Sequence, residues 1–256
     1  MQAIGKLKKV VKNNISKFRN GVLILLYHRI SDLPSDPYLL NVTPEHFAEH
    51  LAVLQGSGCT IMSLHQLMRS LQERTLPDRG IVVTFDDGYA DNLYHAKPLL
   101  EKYRVPATVF VTSGYVGQQQ EFWWDEVERL LLQPGTLPET LELTVKGKTY
   151  HWNLGQDANY SEQDQKRDRY WHFYQKEDPS KRHSLFRGLH EVLNQLSIKE
   201  RWSVLEEVAE WSGMGSQSRS THRIMSPEEI KILGADGLVE VGAHTVNHPV
   251  LSSLSV

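Results

Sequence analysis

The apolar run Ile81-Val82-Val83-Thr84-Phe85 ends abruptly in Asp86-Asp87-Gly88, and this junction constrains the fold more than any other feature of the chain. A short β-branched run entered through Arg79-Gly80 reads as a strand buried on both faces, the signature of a parallel sheet. Carboxylates placed directly after such a strand lie at its C-terminal edge, where α/β folds assemble their chemistry. A second junction repeats the pattern. Leu238-Val239-Glu240-Val241 reads as a strand, and Gly242-Ala243 leads into His244-Thr245-Val246-Asn247-His248-Pro249. Pro249 disfavours a long helix there, which puts the two histidines on a loop or a single turn. Upstream, strand and helix signals alternate. Strand 22–27 precedes a helix with Thr43 as N-cap and Pro44 at its first position; strand 60–62 precedes a helix in which Ser63 and Gln66 form a capping box. Strand 81–85, a helix over 89–103 and strand 107–111 follow, so the chain is predicted to be α/β, a parallel sheet or barrel with helices outside.

Two carboxylates and two imidazoles make a complete set of groups for a catalytic divalent metal. One carboxylate and two histidines can hold the ion and leave coordination open. The remaining carboxylate can then act as general base on a water molecule. Taken alone, Asp-Asp-Gly is an ordinary turn signal and would be a solvated loop; its position after a buried strand argues for a site. Spacing by itself is weak. His46 and His50 also stand four apart, but Phe47, Leu51 and Leu54 take the apolar face of that helix, which leaves His46, Glu49 and His50 on the wet one.

With these residues in place, the sequence resembles the polysaccharide deacetylase family, the NodB-like carbohydrate esterases. The resemblance rests on TFDDG at Thr84–Gly88 and HTxxHP at His244–Pro249, with support from Leu26-Tyr27-His28-Arg29-Ile30 and from Pro106-Ala107-Thr108-Val109-Phe110-Val111. It covers residues 21–117 and 223–256 and omits the middle. It implies a distorted parallel (β/α) barrel of the NodB-homology type with a mostly helical insertion. It also implies Asp86 as base and Asp87, His244 and His248 as ligands to one divalent metal. Zinc fits that donor set, and cobalt or nickel also fit. Thr245 is read as orienting a ligand by hydrogen bonding. His28 ends the apolar strand 22–27, which reads as a central one. A lone histidine there is either satisfied by a backbone carbonyl or faces the same metal. In some relatives acting on exopolysaccharides a tyrosine–histidine pair near the start serves as the general acid, and that role is favoured for His28. The implied activity is metal-dependent removal of acetyl groups from an acetylated, N-acetylhexosamine-containing polysaccharide or oligosaccharide. A small-molecule amide hydrolase with the same metal site and a catalytically silent carbohydrate-binding protein stay open as alternatives. Family members continue past the histidine motif with strands carrying an arginine or a proline-tyrosine-glycine segment. Nothing before Val256 matches these, so the barrel is expected to be truncated at its C-terminus.

Composition places the rest. The single cysteine, Cys59, excludes an internal disulfide framework and reads as a small core residue. Residues 1–20 carry Lys6, Lys8, Lys9, Lys12, Lys17 and Arg19 with no acid, while the remaining chain has 22 basic against 31 acidic residues. Ile4, Leu7, Val11, Ile15 and Phe18 recur at helical spacing, so this lead is predicted to be a basic amphipathic helix, packed on the domain or lying on an anionic membrane surface. An acidic body with basic residues gathered at one end argues against nucleic acid as a partner. The run 22–27 is far too short to span a bilayer and lacks the small residues of a cleavage site, so a cytoplasmic or membrane-peripheral location is expected. Four segments result: 1–20, the lead; 21–117, the first part of the barrel; 118–222, an insertion; and 223–256, its continuation with the histidine motif. In the insertion, 141–145 and 148–152 alternate as a hairpin around Lys146-Gly147, and 160–190 and 198–211 read as charged helices. Its Trp152, Trp171, Tyr174 and Trp202 read mostly as local core, with sugar stacking as the alternative, and the insertion as a lid or side wall.

Overall fold

The computed structural model describes residues 21–215 and 217–251. The lead over 1–20 lies outside the described residues. The chain divides into two compact units. Described residues 21–32, 40–118 and 224–251 form the first, and those of Leu33–Leu39 and Gln119–Arg223 form the second. No helix among the described residues is long and apolar enough to cross a membrane.

The first unit is built on a five-stranded parallel sheet. Its strands, labelled in chain order, are β1 (Val22–Tyr27), β2 (Thr60–Ile61), β3 (Gly80–Phe85), β4 (Ala107–Val111) and β5 (Val239–Ala243). They run in the spatial order β1-β3-β4-β5, with β2 joined to the start of β3. Every residue of β3 is buried, as the unbroken apolar run requires of a central strand. The register brings the strand ends level: Tyr27 lies beside Phe85, Phe85 beside Val109, and Val111 beside Ala243. The site residues begin where these strands stop.

One expectation for this sheet needs correction. Strand β1 is not central; it stands at one end of the order, with Ile24 50% and Leu26 54% exposed. Its uniform apolarity gave no hint of this, because an edge strand and a buried one share that pattern when length is short. Among the described residues β1 and β5 do not pair with each other. The predicted helix over 89–103 is interrupted as well. It begins with a single π-turn, Asn92–Ala96, before regular helix over Lys97–Tyr103.

Capping residues set the helix starts as read from sequence. Thr43 Oγ1 accepts from the His46 amide at 3.2 Å at the head of Pro44–Gln55. Ser63 with Gln66 and Ser226 with Glu229 form reciprocal capping boxes at Leu64–Glu73 and Pro227–Gly234. His46 is exposed, but His50 is not the solvated residue expected. Its Nδ1 lies 3.2 Å from the hydroxyl of Tyr27, whose own ionisation burial pushes up to about 12.

The second unit packs helices Trp123–Leu131, Lys181–Asn194 and Ile198–Ser212 beside a hairpin of Thr140–Val145 and Lys148–Asn153. Leu141, Leu143 and Val145 are buried while the residues between them are exposed, the period of two that the sequence displayed. Residues 160–190 are not one helical stretch. A short helix, Glu162–Asp168, gives way to turns before Lys181. Those turns are held by Arg187, which is paired with Asp178 at 2.8 Å and donates to the carbonyls of Phe173 and Gln175. Trp171 is core, edge-on to His183 and Phe186, whereas Tyr174 is 70% exposed.

His183 is 2% exposed, and burial holds its imidazole well below the ordinary 6.5, at about 4. The folded chain therefore refuses a proton that the unfolded chain takes up below 6.5. The stabilising contribution is complete above about pH 6.5, declines as the pH falls, and is lost by about pH 4. The shift is worth roughly 3 kcal/mol. Comparing urea midpoints at pH 7 and 4.5, His183→Gln should lose less stability than the wild type, by about 2 kcal/mol. An identical acid loss in both proteins would remove His183 as the cause.

Candidate metal centre

The centre is assembled entirely from residues that follow sheet strands. Tyr27 ends β1 and His28 comes next; Phe85 ends β3 and Asp86-Asp87 come next; Ala243 ends β5 and His244 comes next. The Asp86 amide donates to the Tyr27 carbonyl at 3.0 Å, which extends the ladder one residue past the strand. At Asp87 the backbone turns left-handed, with φ 75°, followed by Gly88 at φ 85°. Glycine is required at 88, because a Cβ there would stand 2.8 Å from Val111 Cγ1 in addition to the unfavourable φ.

The histidine loop is seated on the end of β4. The His244 amide donates to the Val111 carbonyl at 2.8 Å, Ser113 donates to the Thr245 carbonyl at 3.1 Å, and Gly114 donates to the Val246 carbonyl at 2.7 Å. A Cβ at Gly114 would lie 2.5 Å from that same carbonyl oxygen, so only glycine lets the two loops approach so closely. Thr112 donates its amide to the Asp87 carbonyl at 3.2 Å and so ties the carboxylate turn to the same strand end. These residues, Thr112, Ser113 and Gly114, were not singled out from sequence. The signal was their position directly after an apolar strand, the rule that had located Asp86 and His244. Thr245, at φ 62°, accepts from the His248 amide through Oγ1 at 3.0 Å, which closes the turn carrying His248 at φ 50°.

Asp87, His244 and His248 come together with ligand atoms all within 4.8 Å of one another. His248 Nε2 is 3.4 Å and His244 Nε2 3.7 Å from Asp87 Oδ1. Donor atoms bound at 2.0–2.2 Å to a tetrahedral ion stand roughly 3.3–3.6 Å apart, so this donor set fits a divalent metal. Asp87 is 1% exposed, whereas the side chain of Asp86 is 19% exposed with Oδ2 4.0 Å from His244 Nε2. The two neighbouring carboxylates thus differ in accessibility. Burial holds the His248 imidazole below its ordinary value, with His244 pushing the same way, which favours the neutral ring that ligates metals. His28 is also lowered by burial, while the negative charge of Asp86 raises it and His244 lowers it again. The His28 ring is therefore within electrostatic reach of both.

Comparison with known proteins bears on the same segment. A family model described as polysaccharide deacetylase matches residues 73–137. YxkH of Bacillus subtilis (strain 168), assigned by name to the polysaccharide deacetylases, is 30% identical over 108 residues, which are 42% of this chain and 37% of that protein. The poly-beta-1,6-N-acetyl-D-glucosamine N-deacetylase of Escherichia coli (strain K12) is 28% identical over 98 residues, 38% of this chain and 15% of that protein. Among solved structures, Streptococcus pyogenes deacetylase PplD in complex with acetate is 30% identical, over 39% of this chain and 47% of that one, with a TM-score of 0.35. The chain therefore spans well under half the length of these curated relatives. The family match contains β3 and both carboxylates, and over that stretch the chain is similar to the polysaccharide deacetylases.

Proposed function

We propose that this centre removes acetyl groups from an acetylated, N-acetylhexosamine-containing polysaccharide in a metal-dependent hydrolysis. The observation that carries the reading is the placement of two imidazoles 3.4 and 3.7 Å from one buried carboxylate oxygen, with a second, more accessible carboxylate beside them. The named activity of the Escherichia coli relative, poly-beta-1,6-N-acetyl-D-glucosamine N-deacetylation, supports the substrate class. The exposed apolar residues of β1 and Val241 of β5, on the two end strands, support reading the sheet as part of a parallel barrel.

Asp87, His244 and His248 would hold the divalent ion, with zinc, cobalt and nickel all suited to the donor set. Such an ion, when bound, supplies Lewis acidity toward a water molecule and the acetyl carbonyl. Asp86 accepts a proton from the attacking water as its oxygen bonds to the acetyl carbon. His28 donates a proton to the departing nitrogen as the carbon–nitrogen bond breaks, leaving acetate and a free amine on the sugar. Its lowered proton affinity makes the imidazolium a stronger donor at the moment of transfer. Thr245 holds the His248 backbone, and the loop after β4 holds the turn of Asp87.

Acetate release from N-acetylglucosamine oligomers, compared between metal-stripped protein and protein supplied with zinc, tests the reading. Release that appears on adding the ion supports it. A folded, zinc-loaded protein that binds the oligomer and frees no acetate would replace it with carbohydrate binding alone.

A further inference from the structure

The segment that follows the two carboxylates also grips the segment that carries His28, and it does so at three consecutive residues. Asn92 Nδ2 donates to the His28 carbonyl at 2.8 Å. Arg29 Nε donates to Asp91 Oδ2 at 3.1 Å, and the Ile30 amide donates to Asp91 Oδ1 at 3.1 Å. His95 Nδ1 lies 2.7 Å from the Ile30 carbonyl. Within the grip, Asn92 Nδ2 also donates to Asp91 Oδ1 at 3.1 Å, and the Arg29 guanidinium lies over the Tyr89 ring, 4.4 Å from its centre. Arg29, Asp91 and Asn92 are 2%, 7% and 1% exposed. Asn92 and His95 lie in the π-turn over Asn92–Ala96, a wide turn of a kind found often beside functional sites, and Asp91 directly precedes it.

We propose that Asp91 and Asn92 are positioning residues, which fix the backbone of His28–Ile30 and thereby place the His28 ring opposite Asp86. The proposal rests on the deacetylase reading for its chemistry and on the hydrogen bonds above for its geometry. Burying a charged pair costs desolvation that apolar residues of the same volume would not incur. What the buried polar grip adds is direction. Three of the bonds fix named backbone atoms, the His28 carbonyl and the amide and carbonyl of Ile30, and the residues that supply them follow the same strand as Asp86. Base and acid are thus held in one frame, and displacing a reacting group by about 1 Å costs on the order of 100-fold in rate.

The test combines a double-mutant cycle with a spectroscopic readout. With N-acetylglucosamine oligomers and a saturating divalent ion, Asn92→Ala should lower kcat about 10- to 100-fold. KM and metal content should stay unchanged. In a His28→Ala background the same substitution should change kcat by less than about threefold, because there is no ring left to misplace. Equal losses in both backgrounds would make Asn92 merely structural, and either an unchanged kcat in the single variant or full activity in His28→Ala would overturn the proposal outright. In parallel, the ring resonance of His28 in 13C-histidine-labelled, metal-free protein is assigned by its disappearance in His28→Ala. It should shift or broaden in Asn92→Ala while that of His183 stays put. An unmoved His28 resonance rejects the positioning role even if the wild type frees no acetate, so failure of the deacetylase reading and failure of this inference are told apart. Should Asn92→Ala not fold, Asp91→Asn, which keeps the volume and removes the charge on the bonds to Arg29 and Ile30, takes its place in both measurements.

Discussion

Asp86→Asn is expected to reduce acetate release by about 10²- to 10⁴-fold, the range set by loss of a general base. The protein should keep its full complement of metal. The amide is isosteric and can still accept a hydrogen bond, but it cannot carry away the proton that the attacking water must lose. The metal should stay because the ligand atoms converge on Asp87 Oδ1 and not on Asp86, whose nearest contact with the set is 4.0 Å to His244 Nε2. Kinetics with N-acetylglucosamine oligomers and metal analysis of the same preparation check both halves. Activity within a few-fold of wild type would remove Asp86 from the base role. Loss of metal together with activity would make it a ligand.

His248→Ala is expected to act through the metal. Removing residues that merely orient a metal ligand costs about 10- to 100-fold in affinity. Loss of the ligand itself should therefore cost more than about 100-fold. At micromolar ion the variant should be inactive and should regain part of its rate as the ion is raised toward millimolar. His248 also ends the turn closed by Thr245 Oγ1, and its amide bond to that oxygen survives the substitution, so the loop should keep its course. Isothermal titration with zinc on the metal-free proteins separates the two effects. Unchanged affinity in His248→Ala would exclude it as a ligand.

Most of the centre could be read from sequence because its residues obey a positional rule. Asp86, His244 and His28 each come directly after an apolar run, and the parallel register sets those runs level at one edge. The histidine pair at 46 and 50, equal in spacing, begins no such junction, and His50 instead bonds Tyr27. What could not be read was strand order. Val22–Tyr27 and Ile81–Phe85 are alike in apolarity, yet one stands at the end of the sheet and the other within it, since order depends on pairing partners distant in sequence. The π-turn was equally invisible. Asn92 to Tyr103 carries good helical periodicity, and one extra residue in a turn leaves no mark on that pattern. In the second unit, Arg182 hides in the same way. Its charge suggested an exposed helix, but the guanidinium is buried and donates to the carbonyls of Gln133, Gly135 and Ala158.

Three residues of the centre, Asp87, Thr245 and His248, occupy left-handed backbone without being glycine. For an L-residue this conformation costs about 1–2 kcal/mol. Evolutionary selection acting on foldedness alone would favour glycine or asparagine at those positions. A lineage that lost its need for the metal site should therefore drift toward a more stable chain through the very residues that define it. Conversely, aspartate and histidine persisting at strained positions would record continued selection for function, a trace that no count of buried contacts provides.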